Sequence, residues 1–202
     1  MQGKPTCPQP TERMPPPPCT ISSADSESHR GELETLVRWF DTHLGQLGHF
    51  EPVAAGELPA DFSTLLMHHS HMTVAVEAFH KSRVDVRVMT EHREADLYGR
   101  QIVLTRRTDG AVVQFGIMRI DMRRLSEKAR REVETHAAPL GRVLIRHKAL
   151  REVELIALWK IQPTAALAEH LSVPDGVPVY GRSARILLDK QPAVELLEIV
   201  KV

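Results

Sequence analysis

The chain has 202 residues, 42% hydrophobic and 26% charged, with a formal net charge of zero. That is the balance of a water-exposed globular domain, and it gives no bulk electrostatic case for binding nucleic acid or an anionic membrane. Aromatic residues make up only 4%, too few for base-stacking platforms, and no apolar run approaches the ~20 residues that span a bilayer.

Residues 1–28 hold Pro5, Pro8, Pro10, the run Pro15 to Pro18, and Ser22, Ser23, Ser26 and Ser28. Such a composition cannot bury a core and reads as a disordered tail. Both cysteines, Cys7 and Cys19, lie in it. A disulfide framework, a cysteine zinc site and Cys-His catalysis are therefore not expected in the domain that occupies 29–202. The chain starts without the basic-then-apolar pattern of a secretory signal, so the expected location is cytoplasmic.

Leu33, Leu36, Val37 and Phe40 have helical spacing. A link rich in Gly and Pro follows through Gly45, Gly48, Pro52, Gly56 and Pro59, and Asp61 is placed to cap a short helix with Phe62, Leu65 and Leu66. His68, His69 and His71 precede a helical stretch with Val76 and Phe79. They lack the carboxylate spacing of a metalloprotease, and no metal is expected there. Val84, Val86 and Val88 alternate with Arg83, Asp85 and Arg87 as in a half-buried strand.

Next, Tyr98, Arg100, Ile102 and Leu104 share one face of a strand. Thr108-Asp109-Gly110 is a hairpin turn leading to Ala111, Val113, Phe115 and Ile117 on one face. Residues 125–136 read as a charged, solvated helix, and Pro139-Leu140-Gly141 opens a short one. A strand with Val153, Leu155, Ala157, Trp159 and Ile161 follows, then a small helix capped by Thr164. The last two strands carry Tyr180, Arg182, Ala184, Ile186 and Leu188, and Val194, Leu196, Glu198 and Val200, on single faces. About six strands joined mostly by short turns imply an α+β fold, one antiparallel sheet with helices on one face.

Three charges thus fall on apolar strand faces: Arg100, Arg182 and Glu198. A carboxylate among aliphatic neighbours must find a partner or stay protonated. One reading is a structural ion pair. The other is a pocket whose arginines take an anionic ligand while Glu198 handles a proton. No phosphate loop, dinucleotide fingerprint or nucleophile elbow accompanies them.

The order of these pieces resembles the chorismate lyase (chorismate pyruvate-lyase) family. A Met72-Thr73 pair opens a helix, Arg100 lies in a strand, Pro139-Leu140-Gly141 precedes a short helix, and Tyr180-Gly181-Arg182 leads to Glu198 in the last strand. It is similar also to the UTRA ligand-binding domain of GntR-type regulators, which shares that fold. The resemblance covers roughly residues 60 to 200. It implies an antiparallel sheet enclosing its ligand under helical flaps, and cofactor-free cleavage of chorismate to 4-hydroxybenzoate and pyruvate. By resemblance, Arg100 and the Met72 backbone N–H hold the ring carboxylate, the Leu140 backbone and Glu198 meet the ring hydroxyl, and Arg182 serves the second carboxylate. The chain has Tyr180-Gly181-Arg182-Ser183 where those enzymes often have Trp-Gly-Arg-Arg, and Glu195 is an alternative to Glu198. Too few residues precede the domain for a winged helix, so the expectation is a stand-alone lyase; the alternative is a non-catalytic domain that binds an aromatic acid.

Overall fold

The turn residues that separate the strand patterns fold back almost every strand on its neighbour. In the computed structural model, which describes residues 23–136, 138–147 and 151–202, this gives one fully antiparallel sheet of seven strands. They are β1 (Gly48–Pro52), β2 (Val84–Glu94), β3 (Leu97–Arg106), β4 (Val112–Asp121), β5 (Arg151–Pro163), β6 (Val179–Leu188) and β7 (Gln191–Val200), in the order β1-β5-β6-β7-β4-β3-β2. The sheet is two meanders, β2-β3-β4 and β5-β6-β7, joined where β4 pairs with β7. The strand beyond the expected set is β1, a short edge strand inside the Gly/Pro link, paired to β5.

Local chemistry sets the turns. Gly110 takes φ +73 at the β3–β4 hairpin, a conformation that suits glycine. Asp189 and Lys190 both take positive φ between β6 and β7, as a two-residue hairpin requires.

Seven α-helices are described: α1 (Ser23–Arg38), α2 (Leu44–Leu47), α3 (Ala60–Leu66), α4 (Met72–His80), α5 (Glu127–Glu134), α6 (Leu140–Arg146) and α7 (Ala165–Leu171). Ser126 and Thr164 cap α5 and α7, accepting from the N–H of Ala129 and Leu167. Asp61 does not cap α3; Pro59 occupies that position and Asp61 sits in the first turn, where its charge complements the helix dipole. Of the tail expected over 1–28, residues 1–22, with both cysteines and the proline run, lie outside the described residues. Residues 23–28 belong to α1.

Helices cover both faces of the sheet, where one covered face was expected. Leu33, Leu36 and Val37 of α1, and Leu167 and Leu171 of α7, pack with Phe115, Trp159, Leu197 and Ile199. On the opposite face α5 and α6 pack on Ile120, Ile186 and Val194, and α3 and α4 on Leu104, Leu158 and Val200. Strands buried on both sides lose simple alternation, so β7 reads as two half-apolar faces although both are interior. The phases read for β3, β6 and β7 hold: Tyr98, Ile102, Leu104, Ala184, Ile186, Val194 and Val200 all face the α3–α6 side. Those read for β4 and β5 break at β-bulges, which leave Val113, Val153 and Leu155 on the α3–α6 side and turn Phe115, Ile117, Ala157, Trp159 and Ile161 to the other.

Candidate functional site

Antiparallel register builds the site. Residues opposite one another share a face, and one row runs Ile102, Gly116, Glu198, Arg182 across β3, β4, β7 and β6. Gly116 leaves this row without a side chain at its centre, and the sheet is hollow there. A Cβ at Gly116 would lie 3.4 Å from both the Gln114 amide nitrogen and Ile102. Over the hollow lies a cavity of about 560 Å³, its open mouth included. Met72, Arg100, Leu140, Arg182 and Glu198, the five positions singled out in the sequence, all line it, together with Gln114.

Arg100 is fully buried. Its Nη1 reaches the Val133 carbonyl at the end of α5 over a long 3.4 Å. Its Nε and Nη2 have no hydrogen-bond partner among the described residues. Burial pushes its pKa below the ordinary arginine value, against the pull of Tyr98 and Glu91 nearby; a guanidinium nevertheless stays charged. Tyr98 donates its hydroxyl to Glu91, which also meets the His136 imidazole. Burial, and then the hydrogen bond to Glu91, push the Tyr98 phenol up, so it is a neutral donor. Arg100 thus carries a buried charge whose two best donors are unspent.

Glu198 has found its partner. Arg182 Nε donates to its carboxylate at 2.8 Å, with the side chains only 1% and 10% exposed. The same guanidinium donates through Nη1 to the carbonyls of His68 at 2.8 Å and Leu66 at 3.2 Å. Arg182 therefore ties the sheet to the segment between α3 and α4, and the structural ion pair is the arrangement present. Glu195, the alternative carboxylate, faces the other way and pairs with Arg119 at 2.7 Å.

Two helix starts form the roof. His71 and Pro139 sit at the N-cap positions of α4 and α6, and neither supplies a side-chain cap. The first-turn N–H groups of Met72 and Leu140 have no intrahelical acceptor, and the dipoles of both helices add positive potential at the cavity. The two starts touch: a Cβ at Gly141 would come within 2.9 Å of the His71 Cβ. Arg142 of α6 also binds Glu77 of α4, which in turn accepts from the Val84 N–H.

The histidines do not converge on a metal site. His69 Nδ1 meets the Val153 carbonyl at 3.1 Å, His68 lies beside Arg182, and among the described residues no group of three or more His, Cys, Asp or Glu is placed to hold an ion. Among those residues, too, no helix is long and apolar enough to cross a membrane.

Sequence reasoning missed Gln114. It is 3% exposed, its Oε1 has no partner among the described residues, and it lines the cavity. The available signal was a lone amide at the phase of Gly116 and Met118 in an otherwise apolar strand.

No family model matches the sequence, and no curated protein matches it. Solved structures do show similarity. The C-terminal domain of the histidine utilization repressor from Pseudomonas syringae pv. tomato str. DC3000 is 18% identical, with 58% of this chain and 91% of that one covered at a TM-score of 0.43. The effector domain of PhnF from Mycobacterium smegmatis is 15% identical, over 65% and 88%, at 0.49. The ligand-binding domain of a GntR-family transcriptional regulator from Bordetella bronchiseptica is 12% identical, over 59% and 86%, at 0.43. At these identities the likeness concerns the fold alone.

The lyase expectation is corrected: the similar structures are described as a repressor domain, an effector domain and the ligand-binding domain of a regulator, and the carboxylate expected to move a proton is engaged by Arg182.

Proposed function

We propose that this chain is a non-catalytic binding module for a small organic anion with an apolar body. One observation carries the reading: Arg100 is wholly buried at the cavity with two donor nitrogens, Nε and Nη2, unpaired among the described residues. A buried guanidinium left in that state costs stability, and an anion that accepts from Nε and Nη2 offsets the cost through charge-assisted bonds. The N–H groups at the starts of α4 and α6 favour the same sign of charge. Aliphatic lining from Ile102, Leu104, Val153, Ile186 and Leu196 suits a ring or branched body. An aromatic carboxylate fits this description.

The test is calorimetry with benzoate, a phenyl phosphate and an uncharged benzamide. The two anions bind and the amide does not. Arg100→Met weakens anion binding by roughly 10- to 150-fold, the range of a charge-assisted hydrogen bond of about 1.5–3 kcal/mol. The same substitution leaves the unliganded protein as stable or more stable, since it removes a desolvated charge. Failure of every small anion to bind, or anion binding indifferent to Arg100, refutes the proposal.

A further inference from the structure

The cavity has a second polar pole. We propose that Gln114 is a specificity-determining residue: it accepts a hydrogen bond from a hydroxyl or amino group on the ligand, at the end away from the anion. The inference rests on the anion-binding reading above, and it narrows the ligand to hydroxy- or amino-substituted organic acids.

Buried side-chain amides are nearly always hydrogen-bonded. Gln114 is 97% withdrawn from solvent in residue terms (3% exposed), yet its Oε1 has no partner among the described residues. Its in-register neighbours on β3 and β7 are Leu104 and Val200, which have no donor to offer. Leucine or methionine would fill the position without leaving an acceptor unmet. The amide comes within 3.4 Å of the position of a Cβ on Gly116 through its nitrogen, so the amide leans over the hollow at the centre of the row, and a half-turn about its last bond exchanges nitrogen and carbonyl there.

The placement relative to Arg100 sets the length of the ligand. Arg100 is opposite Met118 on β4, four residues from Gln114, or roughly 13 Å of strand between backbone positions. The arginine and glutamine side chains take up part of that distance, and a single ring or a short chain fills the rest. Glu198, opposite Gly116, borders the space between the two poles, but its carboxylate already accepts from Arg182. The Gln114 carbonyl is the acceptor left unspent.

The experiment measures binding of benzoate and of its para-hydroxy, para-amino, para-methoxy and para-methyl derivatives to the full chain. The wild type favours the hydroxy and amino acids over the methyl and methoxy acids by about tenfold or more, equivalent to about 1.4 kcal/mol. Methoxy can only accept, so its rank separates a carbonyl facing the ligand from a flipped amide. In Gln114→Leu the preference for donors disappears, while plain benzoate still binds through Arg100. A preference that survives in Gln114→Leu assigns it to Glu198 and overturns the inference, as does a wild-type preference for methoxy. If benzoate itself does not bind, or binds equally to Arg100→Met, the anion site fails and this inference with it. If benzoate binding depends on Arg100 but discrimination is absent, only the role of Gln114 is lost.

Discussion

Arg182 offers the sharpest energetic test, because one guanidinium meets a carboxylate and two backbone carbonyls. Removing one partner of a buried pair strands the other charge and costs about 3–5 kcal/mol. For Arg182→Met we expect a loss of about 4 kcal/mol, since Glu198 is left unpaired and the Leu66 and His68 carbonyls lose their donor. Glu198→Gln keeps an acceptor for Arg182 Nε and costs less, about 1–2 kcal/mol. In the double variant no unpaired carboxylate remains and the chief cost is the two carbonyls, about 2 kcal/mol. The coupling energy is then about 3–4 kcal/mol. Urea titration followed by tryptophan fluorescence reads these values, because Trp159 is fully buried and donates to Ser183 beside Arg182. With a slope of ~2 kcal/mol/M, the Arg182→Met midpoint falls by ~2 M. Single losses that simply add, with coupling below about 0.5 kcal/mol, refute the view of Arg182 and Glu198 as one unit.

Two further outcomes follow from the roof of the cavity. Gly141→Ala places a methyl group 2.9 Å from the His71 Cβ; α6 must move off α4, lowering stability by about 1–3 kcal/mol and weakening ligand binding, as paired thermal-melt and calorimetric measurements show. The His68 imidazole is held below its ordinary value of 6.5, first by burial and then by the Arg182 charge. The unfolded chain takes up that proton more readily, so stability is complete above about pH 6.5 and declines as the pH falls below it. His80, lowered by burial and Arg106, acts with the same sign. His68→Gln should flatten, without abolishing, the decline in urea midpoint from pH 7 to pH 5; an unchanged decline counts against the assignment.

Strand phase was legible because a period of two places Arg100, Arg182 and Glu198 on apolar faces whatever the tertiary context. The β6–β7 turn then sets Arg182 opposite Glu198, which makes their pairing a matter of register. The second neighbour of β4 was not legible, although the Thr108-Asp109-Gly110 turn signalled the first. Its contact with β7 joins residues about 80 apart in sequence, and no turn signals it. The second covered face was missed for the same reason: Leu197 and Ile199 are as buried as Val194 and Val200, and only the docking of α1 and α7 decides this. β1 was hidden by the Gly and Pro residues around it, which mark edge strands as readily as loops. The activity was misjudged because ordered short motifs resemble an enzyme family, whereas the ion pair, one of two readings open in the sequence, is decided by the contact of Glu198 with Arg182 in the folded sheet.

The position of β7 also bears on how the molecule comes into being. It is the last of the seven strands to leave the ribosome, and it lies between β4 and β6, each of which presents an open edge until it inserts. A nascent or interrupted chain lacking residues 191–200 therefore exposes two long strand edges, the kind of surface that recruits other chains into aggregates. Insertion of β7 closes both edges and delivers Glu198 to Arg182 in the same step, so a chain that has escaped aggregation is also one whose pocket is finished.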